Sequence, residues 1–158
     1  MLCVLVVIGV MISLSDNSSS IEPKTSTTST STTPAYKLSV IADLSSEAKR
    51  KEAETRFAFV LPRLAKRCKD VEEEINVADM LVVGHNSLKD AGLGSKEPLT
   101  DFTDTIYSMV SELYPLSETT FLNLAEVIAA YVTLRQEGQS QEDAKEGLTE
   151  LYKALLGL

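Results

Sequence analysis

The sequence predicts an all-α fold: an antiparallel bundle of four to five helices, preceded by a disordered Ser/Thr-rich stalk and an N-terminal signal peptide. Three observations carry this. Apolar residues recur at alternating spacings of four and three, first from Phe57 to Val82 and again from Ala144 to Leu155. Short connections marked by Gly, Pro and Asn separate the periodic segments, which favours antiparallel neighbours. An apolar start and a serine and threonine tract come before any amphipathic pattern begins. The expected division is a signal peptide over residues 1–15, a linker over 16–36 and a helical domain over 37–158.

Residues 2–12 are almost wholly apolar. That length suits a signal-peptide core of roughly 7–15 residues and falls short of the roughly 20 that span a bilayer as a helix. Ser13 and Ser15 place small side chains at the minus-three and minus-one positions of a cut before Asp16. No Lys or Arg precedes the core, so the terminal amine alone supplies positive charge there. The expectation is export to the extracellular space, or display at the cell surface where the segment stays uncleaved. The cut would remove Cys3 and leave Cys68 as the only cysteine, which rules out an intrachain disulfide. Its place on an apolar stripe predicts burial rather than an intermolecular bridge.

Residues 16–34 carry almost no apolar groups besides Ile21, so they cannot offset the entropy of ordering. The run 25–33 has the composition of O-glycosylated stalks. Asn17-Ser18-Ser19 is an N-glycosylation sequon, which makes Asn17 a candidate modification site.

In the helical domain, Ser45 or Ser46 is suited to cap the first long helix. Its seam comprises Phe57, Leu61, Leu64, Cys68, Val71, Ile75, Ala78 and Val82, with Pro62 expected to kink or divide it. A second unit starts near Thr100 or Asp101, presents Phe102, Ile106, Met109 or Val110 and Leu113 on one face, and ends at Pro115. Ser117 is placed to cap the next helix, whose broad apolar face, with Phe121, Leu124, Ile128 and Val132, suits the centre of a bundle. Gly138 suits a helix end, Ser140 with Asp143 resembles a capping box, and Ala144, Leu148, Leu151 and Leu155 form the last seam.

Charge is uneven. Residues 47–69 carry eight basic side chains against three acidic ones, while residues 70–158 carry five against seventeen. Lys49, Arg56, Arg63 and Arg67 fall in one stripe beside the Phe57, Leu61 and Leu64 face, a candidate surface for a partner. The simpler expectation is that they meet the acidic helices of their own bundle. Nucleic acid is not expected as a partner, since the net charge of −8 repels phosphates and no aromatic residues interleave with the basic ones.

The residues Gly84-His85-Asn86-Ser87 with Asp90 contain the members of a hydrolytic triad, but contiguous residues at one helix end cannot converge as separate elements do. His85 is expected at a helix end, facing the last carbonyls. One His and one mature Cys cannot supply the usual zinc ligands, and consecutive carboxylates splay by roughly 100° on a helix. No cofactor or metal is expected, and no catalytic residue is singled out. The function expected is a secreted or surface-displayed helical protein-interaction module without catalytic activity. The alternative is an extracellular carrier of a small apolar ligand, a lipid or fatty acid, lined by Phe121, Leu124, Ile128 and Tyr131.

Overall fold

The computed structural model describes residues 33–42, 44–71, 73–113 and 122–157. Every regular element among them is a helix: α1 Pro34–Ile41, α2 Glu47–Arg67, α3 Glu74–Asp90, α4 Leu99–Leu113, α5 Leu124–Gln136 and α6 Gln141–Leu156. The all-α bundle is therefore present, with six helices among the described residues where four to five were expected. The expected signal peptide, the Asn17 sequon, nearly all of the stalk and Phe121 lie outside the described residues.

The additional helix, α1, starts at Pro34, before the expected domain boundary. Thr33 Oγ1 accepts from Tyr36 N–H at 3.3 Å, and proline pre-sets the backbone at the first helical position. Ala35 and Leu38 then seat the helix in the core, where it packs against α2 and α3.

Ser46 caps α2 by accepting from Lys49 N–H at 3.3 Å, and Lys66 and Arg67 in the last turn suit its negative dipole end. Pro62 lies inside α2 without ending it. The carbonyl that loses its donor there belongs to Ala58, whose position faces solvent. The division of the long seam falls at residues 68–73 instead. There Lys69 N–H donates to Leu122 O at 2.9 Å, and the Asp70 carboxylate accepts from Leu124 N–H and Ala125 N–H at 2.7 and 3.1 Å. This interruption resets the helical phase. Val77, Leu81 and Leu88 make the core line of α3 together with Ala78, whereas Ile75 and Val82 of the expected seam are only half-buried.

The central position belongs to α3 rather than α5, since α3 packs against α1, α2, α4 and α5. Gly84 permits this. A Cβ there would stand 2.4 Å from Ile128 Cγ2 on α5 and 3.0 Å from Phe102 Cζ on α4. The apolar face of α4 matches the expected one, with Phe102, Ile106, Met109, Val110 and Leu113 buried. Asn123 caps α5, accepting from Glu126 N–H at 3.0 Å, while Ser117, the expected cap, lies outside the described residues. Ala125 and Ala129 are exposed, so the apolar face of α5 is narrower than the sequence suggests.

Gly138 takes φ +94° after α5, and Ser140 Oγ accepts from Asp143 N–H at 3.1 Å to start α6, both as expected. Only the first half of the last seam is buried. Ala144 and Leu148 face the core, while Leu151 and Leu155 are 51% and 72% exposed. Thr149 and the half-buried Tyr152 continue the inward line in their place, as a 3.6-residue period dictates.

Asp70 joins the end of α2 to the start of α5 by satisfying two amides that no residue of α5 itself can reach. Asp70→Ala is expected to lower stability by about 0.5–2 kcal/mol, the cost of losing a cap. A urea titration of the variant beside the parent measures it.

Candidate functional site

The basic stripe lies along the groove between α2 and α4. Arg56 Nε donates to Asp104 Oδ1, and Arg67 Nη1 donates to Ser111 Oγ, both across to α4. Arg63 instead turns along its own helix, donating to Phe59 O at 2.7 Å and holding its guanidinium 3.5 Å from the Phe59 ring centroid. Lys49 is exposed at the first turn of α2 and makes no ion pair among the described residues. The stripe therefore divides: Arg56 and Arg67 tie helices together, whereas Arg63 and Lys49 face outward.

Phe59 was not singled out by the sequence, because it lies off the core seam. It is 48% exposed, yet it meets Tyr107 of α4 edge-on, with ring centroids 5.9 Å apart and planes at 79°. Arg67 lies 5.4 Å from the Tyr107 centroid. Together with Glu52, Thr55, Arg56, Val60 and Asp104, the two rings line a groove of about 520 Å³. Aromatic rings flanked by arginines at a surface have the composition of the residues that anchor protein interfaces.

The residues expected to line an apolar-ligand cavity are placed differently. Leu124, Ile128 and Tyr131 are buried in the common core and line neither this groove nor the recess described below.

The most unusual chemistry is in the interior. Glu97, in the loop between α3 and α4, is completely buried. Its Oε1 accepts from Tyr131 O–H at 2.6 Å, and its Oε2 accepts from Arg135 Nε at 2.8 Å. Arg135 also donates to Gln139 O. The backbone carbonyl of Glu97 accepts from His85 Nε2 at 2.9 Å, so the proton of the neutral ring sits on Nε2. His85 is thus buried against the α3–α4 loop rather than facing the last carbonyls of its helix. Ser87 Oγ donates to Val83 O, one turn back, so Ser87 and His85 are not paired with each other.

Burial holds the His85 imidazolium below its ordinary pKa, and the charge of Lys89 acts in the same direction against the Glu97 contacts. The unfolded chain therefore binds a proton more readily than the native one. Stability from this group is complete above the ordinary histidine pKa of about 6.5 and falls as pH drops below it, levelling once the native ring is protonated. Urea midpoints between pH 8 and pH 5 are expected to decline, and His85→Gln is expected to flatten that part of the profile. Burial and Glu97 push the Tyr131 phenol upward, so it remains a donor throughout this range.

No protein-family model matches the chain, and neither do curated proteins or solved structures. The chemistry of the surfaces therefore rests on the residues themselves. Among the described residues, no group of three His, Cys, Asp or Glu side chains is placed to hold a metal ion. No helix among them is long and apolar enough to cross a membrane. Cys68 is buried, and desolvation pushes its thiol up to about 12, which suppresses the reactive thiolate.

Proposed function

We propose that the chain is a secreted or surface-displayed helical protein-interaction module, carried on a Ser/Thr-rich stalk, whose binding surface is the α2–α4 groove. The observation that carries this reading is the half-exposed Phe59, packed edge-on against Tyr107 and covered by Arg63. A large apolar ring held rigidly at the surface loses little side-chain entropy on binding, and the outward-facing Arg63 stacked on it favours an acidic group in the partner. Lys49 and Arg63 supply the outward charge, while Arg56 and Arg67 hold the groove's two walls in register. The partner that fits is an acidic polypeptide segment with an aromatic or aliphatic anchor. The apolar start and the small residues Ser13 and Ser15 support the export half of the reading.

Immobilised poly(Glu,Tyr) copolymer is a suitable probe. Binding is expected to weaken with salt and to fall about thirtyfold in the Phe59→Ala, Arg63→Gln double variant, with the melting curve unchanged. Equal binding by the double variant and the parent rejects the surface. Changing Lys49, Arg56, Arg63 and Arg67 together to Gln is expected to cost about 1 kcal/mol besides, because two of the four reach across to α4. Expression in a secreting cell tests export: N-terminal sequencing of the released chain is expected to begin near Asp16, and recovery of Met1 rejects cleavage.

A further inference from the structure

A second recess, of about 560 Å³, lies on a different part of the molecule, where the end of α1, the last turns of α3 and the α3–α4 loop meet. Its lining includes the buried His85, and Lys89, one turn further along the same face of α3, stands beside it. The loop closes tightly on the lysine stem. A Cβ at Gly94 would come within 2.4 Å of Lys89 Cγ and 3.1 Å of Lys89 Cα, so only glycine allows this approach. Gly92, at φ +74°, makes the turn that brings the loop back. Lys89 has no ion-pair partner among the described residues, and the Ser95 hydroxyl has no hydrogen-bond partner there.

Two features define what this recess takes. In a chain of net charge −8, no carboxylate lines it. Glu97, the nearest acid in the loop, turns its carboxylate into the core toward Tyr131 and Arg135. An apolar part of the lining comes from Ile41, Ala42, Pro98 and Leu99, beside the loop glycines Gly92 and Gly94. One unpaired ammonium and one free hydroxyl match a single negative charge, and the apolar wall matches a short hydrocarbon tail. We propose that this recess is a binding site for a small monocarboxylate bearing a short aliphatic chain, with Lys89 and Ser95 holding the carboxylate and Ile41 and Leu99 holding the tail. The site is independent of the α2–α4 surface.

His85 is the only histidine of the chain, so its imidazole Hε1 proton gives a single assignable NMR signal beside the site. Lys89 on its own helix and Glu97 in the following loop are the charged groups acting on it, and the Phe102 ring packs against it from α4. The intact chain is titrated with hexanoate, with acetate and with hexanol at matched ionic strength. Hexanoate is expected to move the His85 signal saturably and to raise the pH at which the ring titrates, since an added negative charge favours imidazolium. Acetate and hexanol, each lacking one half of the ligand, are expected to bind more weakly. Lys89→Gln is expected to weaken hexanoate about tenfold, and Ile41→Ser to weaken it less; both positions are exposed, so the fold is retained. Absence of saturation by about 50 mM hexanoate, equal binding of hexanol, or an unchanged affinity in Lys89→Gln overturns the site.

Discussion

Replacing Glu97 with alanine is expected to lower stability by about 3–5 kcal/mol, the cost of breaking a buried ion pair from one side. The carboxylate has no exposure to water, and Arg135 is 8% exposed, so neither charge is solvated by solvent in the native state. Each depends on the other, and the 2.6 Å bond from Tyr131 satisfies a further lone pair of the acid. With the acid gone, Arg135 loses its carboxylate partner and the Tyr131 hydroxyl loses the acceptor it donates to. Unfolding by urea, followed by circular dichroism, measures the loss. Glu97→Leu combined with Arg135→Met removes both charges and is expected to recover most of it. The bond from His85 goes to the Glu97 backbone, so it survives both variants. A single variant as stable as the parent shows that Glu97 is not desolvated in the native state.

This network explains what the sequence concealed. Glu97 lies in a connection rich in glycine, before a proline, where a charged side chain reads as solvated, because acids are almost never fully buried unless paired. Its partners are on α5, more than thirty positions away, and nothing in a linear pattern links them. Arg135 has an innocent local reading as well, since a cation in the last turn of a helix suits the dipole. Capping chemistry, by contrast, was legible because its partners are three residues apart. Ser46, Gly138 and Ser140 do what their residue types suggest, and the start and buried face of α4 follow directly from its period.

The long seam from Phe57 to Val82 shows the limit of periodicity. Its spacing continues across residues 68–73, so the pattern alone cannot show that the chain leaves the helix there to bind α5 through Lys69 and Asp70. Proline at position 62 was the visible breaker, yet the decisive interaction was tertiary. The α2–α4 groove was half legible: the charge stripe is in the sequence, but the division of labour among its arginines depends on Asp104 and Ser111 across the groove. Phe59 carried no signal, because an aromatic residue off the seam looks the same whether it is covered or open.

Two substitutions test the phase of the core directly. Phe102→Ala is expected to cost about 3–5 kcal/mol, whereas Ile75→Ala, despite its place in the sequence pattern, is expected to cost clearly less. Phe102 is completely buried where α4 meets the centre of the bundle. Its ring centroid lies 5.9 Å from those of both His85 and Tyr131, and its Cζ fills the space that Gly84 leaves open on α3. Truncation would remove the ring that packs against His85 and Tyr131 and leave a cavity between α3, α4 and α5. Ile75 is only half-buried, in the first turn of α3 just past the interruption, so its truncated side chain leaves a space that water already borders. A continuous heptad seam would bury Ile75 and give its truncation the roughly 2–5 kcal/mol of a core isoleucine. A helix phase reset at residues 68–73 leaves that cost clearly smaller, and urea titration of the Ile75 variant, with Phe102→Ala as the fully buried reference, decides between these arrangements.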